Sequence, residues 1–153
     1  MIGALRKFLS EITAKNGEPA NVGEDEIQLA AAALLFHVVA VDGVVSESER
    51  EALSTVLRRR FDLSPTEAGS LIKAAEDADA EAVDLYSFTS VLKRRLEEAD
   101  RERIIEMMWR LVYADGAVHE FEDNIVWRVA ELLGVSSQTR IRLKQTIRDR
   151  AKN

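Results

Sequence analysis

The dipeptide Asp-Gly occurs only twice in this chain, at 42–43 and at 115–116, and the sequence around it repeats at the same interval of 73 residues. Sliding the chain by that interval sets Leu35 on Met108, Phe36 on Trp109, Val38 on Leu111 and Val39 on Val112. Beyond the dipeptide, Val45 meets Val118, Glu47 meets Glu120, Glu49 meets Glu122, and Leu53 and Val56 meet Val126 and Val129. Self-similarity at a fixed interval means that one supersecondary unit is used twice. The unit reads as helix, Asp-Gly turn, helix, short loop, helix, with halves at about 24–78 and 100–151 and a further helix at 84–97 between them. The physical expectation is a pseudo-twofold bundle in which the two most apolar helices cross at the centre. Both turns then sit in equivalent surroundings.

The local signals are helical throughout. The run Leu29–Val41 is apolar apart from His37 and is too short to span a bilayer, so it reads as a core helix, expected over 24–41 and closed by Asp42-Gly43. Ser46 followed by Glu49 is a capping box that opens a helix running to Phe61. Ser64, Pro65 and Glu67 open another, expected to reach Asp77, with 78–83 open between a loop and a short helical turn. Helices are expected at 84–97, from about Asp100 to the second Asp-Gly, over 120–133 to Gly134, and after Ser136. Residues 2–15 carry Ile2, Leu5, Phe8, Leu9 and Ile12 at helical spacing, ahead of a loop with Gly17 and Pro19. The chain thus divides into an N-terminal amphipathic helix and loop (1–23) and an all-α domain (24–153). No stretch alternates with period two, and two prolines and seven glycines are few for the turns of a β-rich chain.

The 153 residues include no cysteine, which excludes disulfides, thiolate metal sites and cysteine nucleophiles. Nucleophilic catalysis is unsupported, because His37 and His119 have no clear serine partner, and no glycine-rich phosphate loop is present. The net charge of −6 is uneven: residues 137–153 carry +5 and the rest −11. A basic last helix without interleaved aromatics reads as a solvated face or a protein-docking surface, not a nucleic-acid site. Stable membrane insertion is not expected, and the absence of a signal-peptide pattern points to the cytoplasm.

The segments Val-Asp-Gly-Val-Val-Ser-Glu-Ser-Glu (41–49) and Ala-Asp-Gly-Ala-Val-His-Glu-Phe-Glu (114–122) resemble the signature of the TerB-like family, named for tellurite-resistance protein B. A related domain precedes the J-domain of DjlA-type co-chaperones. The resemblance covers about residues 25–150 and implies an all-helical, duplicated fold, with an association with stress and tellurite-resistance systems. It also implies divalent-cation binding at Asp42 and Glu49 in the first half and Asp115 and Glu122 in the second, with Glu47 and Glu120 as lesser candidates. This chain shows no J-domain, so neither a co-chaperone role nor tellurite resistance transfers with the resemblance.

The residues themselves leave the chemistry of the turns open. The spacing of Asp, Gly and Glu imitates the second half of a calcium-binding EF-hand loop. The two preceding ligand positions, however, fall on Val38 and Ala40, and on Leu111 and Tyr113, which are unsuited to hold calcium. Each turn alone offers two or three carboxylates, so a tight site requires the halves to pool them. The same residues also serve as helix punctuation, since a glutamate at a helix start meets the positive dipole end and an orphan N–H. His119, beside Glu120 and Glu122, is a further candidate ligand or pH sensor, and His37 is expected in the core with a hydrogen-bond partner. Trp109, Trp127, Met107 and Met108 are expected to pack the core. The leading expectation is therefore a non-enzymatic module in a stress-related assembly, with a cation at the turns and an unidentified protein partner. A homodimer is left open. One alternative is a pure interaction module whose turns are only caps. The other is a metal-dependent hydrolase, which requires the two turns to converge within about 4 Å of a two-metal site.

Overall fold

The computed structural model describes residues 22–41, 43, 45–82, 84–114 and 120–152. The expected N-terminal helix and part of each Asp-Gly turn lie outside them. The described residues form seven helices: α1 (Val22–Val39), α2 (Glu47–Phe61), α3 (Pro65–Glu81), α4 (Tyr86–Arg95), α5 (Glu98–Val112), α6 (Glu120–Leu133) and α7 (Ser137–Lys152). No strand occurs among the described residues. The all-α expectation holds.

The boundaries keep the interval read from the sequence. Helices α1 and α5 end 73 residues apart, α2 and α6 begin 73 apart, and α3 and α7 begin 72 apart. The packing follows the same scheme. Helix α1 packs against α2 and α3 as α5 packs against α6 and α7, and α1 and α5 pack against each other at the centre. Helix α4 lies across α1 and α6.

Capping explains most of the starts and stops. In α2 the Ser46 hydroxyl accepts from the Glu49 N–H at 3.1 Å, while the Ser46 N–H donates to Glu49 Oε1 at 3.1 Å. Ser64 and Glu67 repeat this reciprocal pair at the start of α3, with Pro65 in the first turn. At α7 the Ser136 hydroxyl accepts from the Thr139 N–H at 3.1 Å. Helix α2 stops at Asp62 in the left-handed conformation (φ 55°), after Arg58, Arg59 and Arg60 have placed positive charge at the negative end of the dipole. Gly134 (φ 75°) ends α6, where the Val135 N–H returns to the Ala130 carbonyl at 2.9 Å.

Several boundaries differ from the sequence reading by a few residues, among them both ends of α4, which spans Tyr86–Arg95, and the start of α5 at Glu98. Helix α1 spans 22–39, because Ala40 and Val41 already form a turn. Helix α3 continues past Asp77 to Glu81, since Ala75 and Ala78 are both buried and hold the next turn to the core. Helix α4 starts at Tyr86, two residues after Asp84, whose Oδ1 accepts from the Tyr86 N–H at 2.9 Å.

The core is centred on α1. Leu29 to Phe36 are all buried, so α1 is enclosed on every side. Alanines at 30–33 let its neighbours approach closely. Helix α5 contributes Ile104, Ile105, Met107, Met108, Trp109 and Val112, and Trp109 Nε1 donates to the Arg140 carbonyl at 3.2 Å, tying α5 to α7. Arg101 donates to the Leu133 carbonyl at 2.8 Å and ties α5 to the end of α6. Trp127 departs from expectation. It is 47% exposed, because the inward face of α6 is taken by Glu122, Val126, Val129 and Leu133.

Candidate site at the two Asp-Gly turns

The first turn leaves α1 through two tight bonds: the Ala40 N–H donates to the Phe36 carbonyl and the Gly43 N–H to the Ala40 carbonyl, each at 2.9 Å. Gly43 has φ +86°, a conformation that strains any residue carrying a Cβ, so glycine here is a geometric requirement. The chain then becomes extended at Ser46 and enters α2. Glu49 folds back over this entry. One of its oxygens is held by the Ser46 N–H, and the other has no partner among the described residues. Glu47 is exposed.

In the second half, α5 leaves through the Tyr113 N–H to the Trp109 carbonyl (3.0 Å) and the Ala114 N–H to the Leu111 carbonyl (3.2 Å). Residues 115–119 lie outside the described set, and so does the Glu120 side chain. Asp42, Asp115, His119 and Glu120 therefore have no described side-chain placement. Glu122, the counterpart of Glu49, is only 8% exposed and is engaged by the protein. Among the described residues, no three His, Asp or Glu side chains gather in a metal-ligand cluster.

What the structure adds is the relation between the helix ends that flank the turns. Val41, the residue before Asp42, shares one cavity of about 410 Å³ with Phe121, the residue after Glu120. Ala114, the residue before Asp115, shares a second and larger cavity with Ser48, at the start of α2. Each half's helix exit thus shares a cavity with the other half's helix entry.

The smaller cavity also contains a pair that sequence reading did not assemble. His37 Nδ1 and Asp79 Oδ1 are 2.8 Å apart and join α1 to α3 across 42 residues of sequence. His37 has its expected partner, but it is half-buried at a cavity wall and not sealed in the core. Asp84, Asn124 and Arg128 line the same cavity.

An acidic residue near the start of α1 stands apart from both turns. Burial, with a smaller contribution from Glu24, raises the Asp25 carboxyl above its ordinary value of 3.8. Asp25 Oδ2 is enclosed without a hydrogen-bond partner.

The described residues define a class: an all-helical bundle of seven helices with α1 and α5 packed together at its centre. The chain belongs to the TerB family, whose model, described as "Tellurite resistance protein TerB", matches residues 28–145. It is also similar to the co-chaperone protein DjlA of Vibrio parahaemolyticus serotype O3:K6 (strain RIMD 2210633), at 31% identity over 121 aligned residues. That alignment covers 75% of this chain and 41% of the relative, so the chain spans under half of the curated protein it matches. No solved structure matches. Among the described residues, no helix is long and apolar enough to cross a membrane.

Proposed function

We propose that this chain is a non-enzymatic binding module whose two Asp-Gly turns pool their carboxylates around a divalent cation. We place it in the cytoplasm, within a stress-related protein assembly. The observation that supports pooling is the arrangement of the helix ends that flank the turns, in which Val41 and Phe121 line one cavity while Ala114 and Ser48 line another. Two or three carboxylates per turn make a weak site, whereas four to six from both turns approach the oxygen count a calcium-like ion requires. Asp42, Glu49, Asp115 and Glu122 are the proposed ligands, with Glu47, Glu120 and His119 as auxiliary ones. Family membership and the co-chaperone relative support the placement in a stress-related assembly.

A second reading has its own support. Glu49 completes a capping box with Ser46, which accounts for its presence without any ion. Here the module binds only protein partners, and the turns are helix punctuation.

Thermal melting across Ca²⁺, Mg²⁺, Mn²⁺ and Zn²⁺, against a chelator baseline, separates the two. An ion present at a hundred times its Kd stabilises the fold by about 2.7 kcal/mol, a rise in Tm on the order of 5–10 °C for a domain of this size. The pooled site predicts a saturable rise that is lost in Asp42→Ala/Asp115→Ala. Superimposable melts in every ion would leave the capping reading alone.

A further inference from the structure

The larger cavity is a groove of about 1040 Å³ between α2, α5 and α7. Its apolar lining includes Ala52, Val56, Met107 and Ile147. Five arginines also line it: Arg59 and Arg60 from α2, Arg103 and Arg110 from α5, and Arg150 from α7. Arg60 is paired with Asp100 at 3.0 Å and Arg110 with Glu106 at 2.8 Å. Arg59, Arg103 and Arg150 are exposed and have no hydrogen-bond or ion-pair partner among the described residues. Glu51 and Glu106 also line the groove, so among the described residues the five arginines leave it a surplus of positive charge, on a chain whose net charge is −6.

The other half shows what such a groove is shaped to hold. Helix α4 lies lengthwise across α1 and α6. Arg95 pairs with Glu26 at 2.9 Å near one end, and Leu85, just before α4, shares a cavity with His37 and Ile125 at the other. Shifted by 73 residues, α1 and α6 correspond to α5 and α2, the two long walls of the open groove. Helix α4 is ten residues long, about 15 Å, which sets the length of helix that the corresponding walls of α5 and α2 would carry. The walls differ in charge. Ala30, Ala33 and His37 of α1 correspond to Arg103, Glu106 and Arg110 of α5.

From this we infer that the groove between α2, α5 and α7 docks an acidic amphipathic helix of about three turns from a partner protein. Its carboxylates engage Arg59, Arg103 and Arg150, and its apolar stripe lies on Ala52, Val56, Met107 and Ile147. Guanidinium groups pair carboxylates in bidentate geometry, and an amphipathic helix laid in a groove is an established recognition mode. The chain's own residues 2–15 suit the groove poorly, because Arg6, Lys7 and Lys15 would enter an arginine-rich rim. Nucleic acid suits it poorly too, since a phosphate backbone would leave the apolar lining of Ala52, Val56, Met107 and Ile147 uncovered. The inference does not depend on a cation at the Asp-Gly turns.

The test uses the full chain with chelator present throughout, so that failure of the cation reading leaves the result untouched. The probe is a fluorescein-labelled 14-residue helical peptide with leucines on one face and glutamates flanking them. A control peptide carries lysine for every glutamate. Fluorescence anisotropy should show the glutamate peptide binding at least tenfold tighter, with the affinity falling as salt is raised. In Arg59→Glu/Arg103→Glu/Arg150→Glu the preference should reverse toward the lysine peptide. Should that variant fail to fold, Arg59→Gln/Arg103→Gln/Arg150→Gln should lose binding without reversal. Equal affinity for both peptides, or a preference that survives in the arginine variants, overturns the proposal. So does single-stranded RNA that displaces the peptide with the same arginine dependence, or a dimer of this chain that excludes it. Binding seen only after Leu5→Asp/Phe8→Asp would assign the groove to the chain's own N-terminal segment and overturn the proposal as well.

Discussion

Replacing Ser46 by alanine and Glu49 by glutamine separates the two tasks that the first turn is proposed to perform. The Ser46 hydroxyl accepts from the Glu49 N–H, a bond at the open end of α2 that alanine cannot make. Loss of an N-cap costs about 1 kcal/mol, which for a domain of this size lowers Tm by roughly 2–4 °C. Glutamine at 49 keeps an oxygen to accept from the Ser46 N–H, so the cap survives and only the charge is lost. That charge faces the positive end of α2 from an exposed site, worth about 0.3–1 kcal/mol at low ionic strength. In chelator, therefore, Ser46→Ala should melt lower than wild type, and Glu49→Gln should fall between them. In a saturating divalent ion the order should invert if Glu49 is a ligand: Ser46→Ala keeps the full ion-dependent rise and Glu49→Gln loses most of it. Differential scanning fluorimetry at matched ionic strength reads both. A Ser46→Ala variant that melts with wild type in chelator would refute the capping argument. An ion-dependent rise undiminished in Glu49→Gln would remove that residue from the proposed ligands.

Two further outcomes follow from the core and from the first turn of α1. Trp109→Ala removes a fully buried indole and its bond to the Arg140 carbonyl, and should cost about 3–5 kcal/mol in chemical denaturation; a loss below about 1 kcal/mol would contradict its place at the centre. Asp25 has a raised pKa, so the folded chain holds its proton more tightly than the unfolded chain, and its contribution to stability falls as pH rises from the ordinary value of 3.8 through the raised one. Asp25→Asn should therefore be more stable than wild type at pH 7, with the gap closing below pH 3.8. A variant less stable than wild type at pH 7 would mean that attraction to the helix dipole outweighs burial.

The sequence carried the framework because helix starts are encoded locally. Ser46 with Glu49 and Ser64 with Glu67 read as capping boxes four residues long, and both form as read. The end of α3 was less legible, since Ala75 and Ala78 are too small to give a strong periodic signal although their burial carries the helix to Glu81. Trp127 was misplaced for a related reason: hydrophobicity alone does not say which side of α6 faces inward when Val126 and Val129 already fill that side. Features built across the fold were invisible. The partners His37 and Asp79 lie 42 residues apart, and Arg59, Arg103 and Arg150 belong to three different helices. Only packing brings them to one cavity. At the candidate site the residue types are legible at each turn, but the sharing of a cavity by Val41 and Phe121 follows only from how the helices pack.

The enclosure of α1 gives the two halves unequal freedom to change. With Ala30 to Ala33 pressed between neighbouring helices, a larger side chain at any of these positions meets packed atoms, and overpacking costs typically 1–3 kcal/mol. The corresponding stretch of α5 carries Arg103 and Glu106 toward an open groove, where a new side chain displaces only water. The first half therefore behaves as a keel and the second as a tool rest. Variation that alters what the module grips can accumulate on α5 while α1 keeps the bundle in shape.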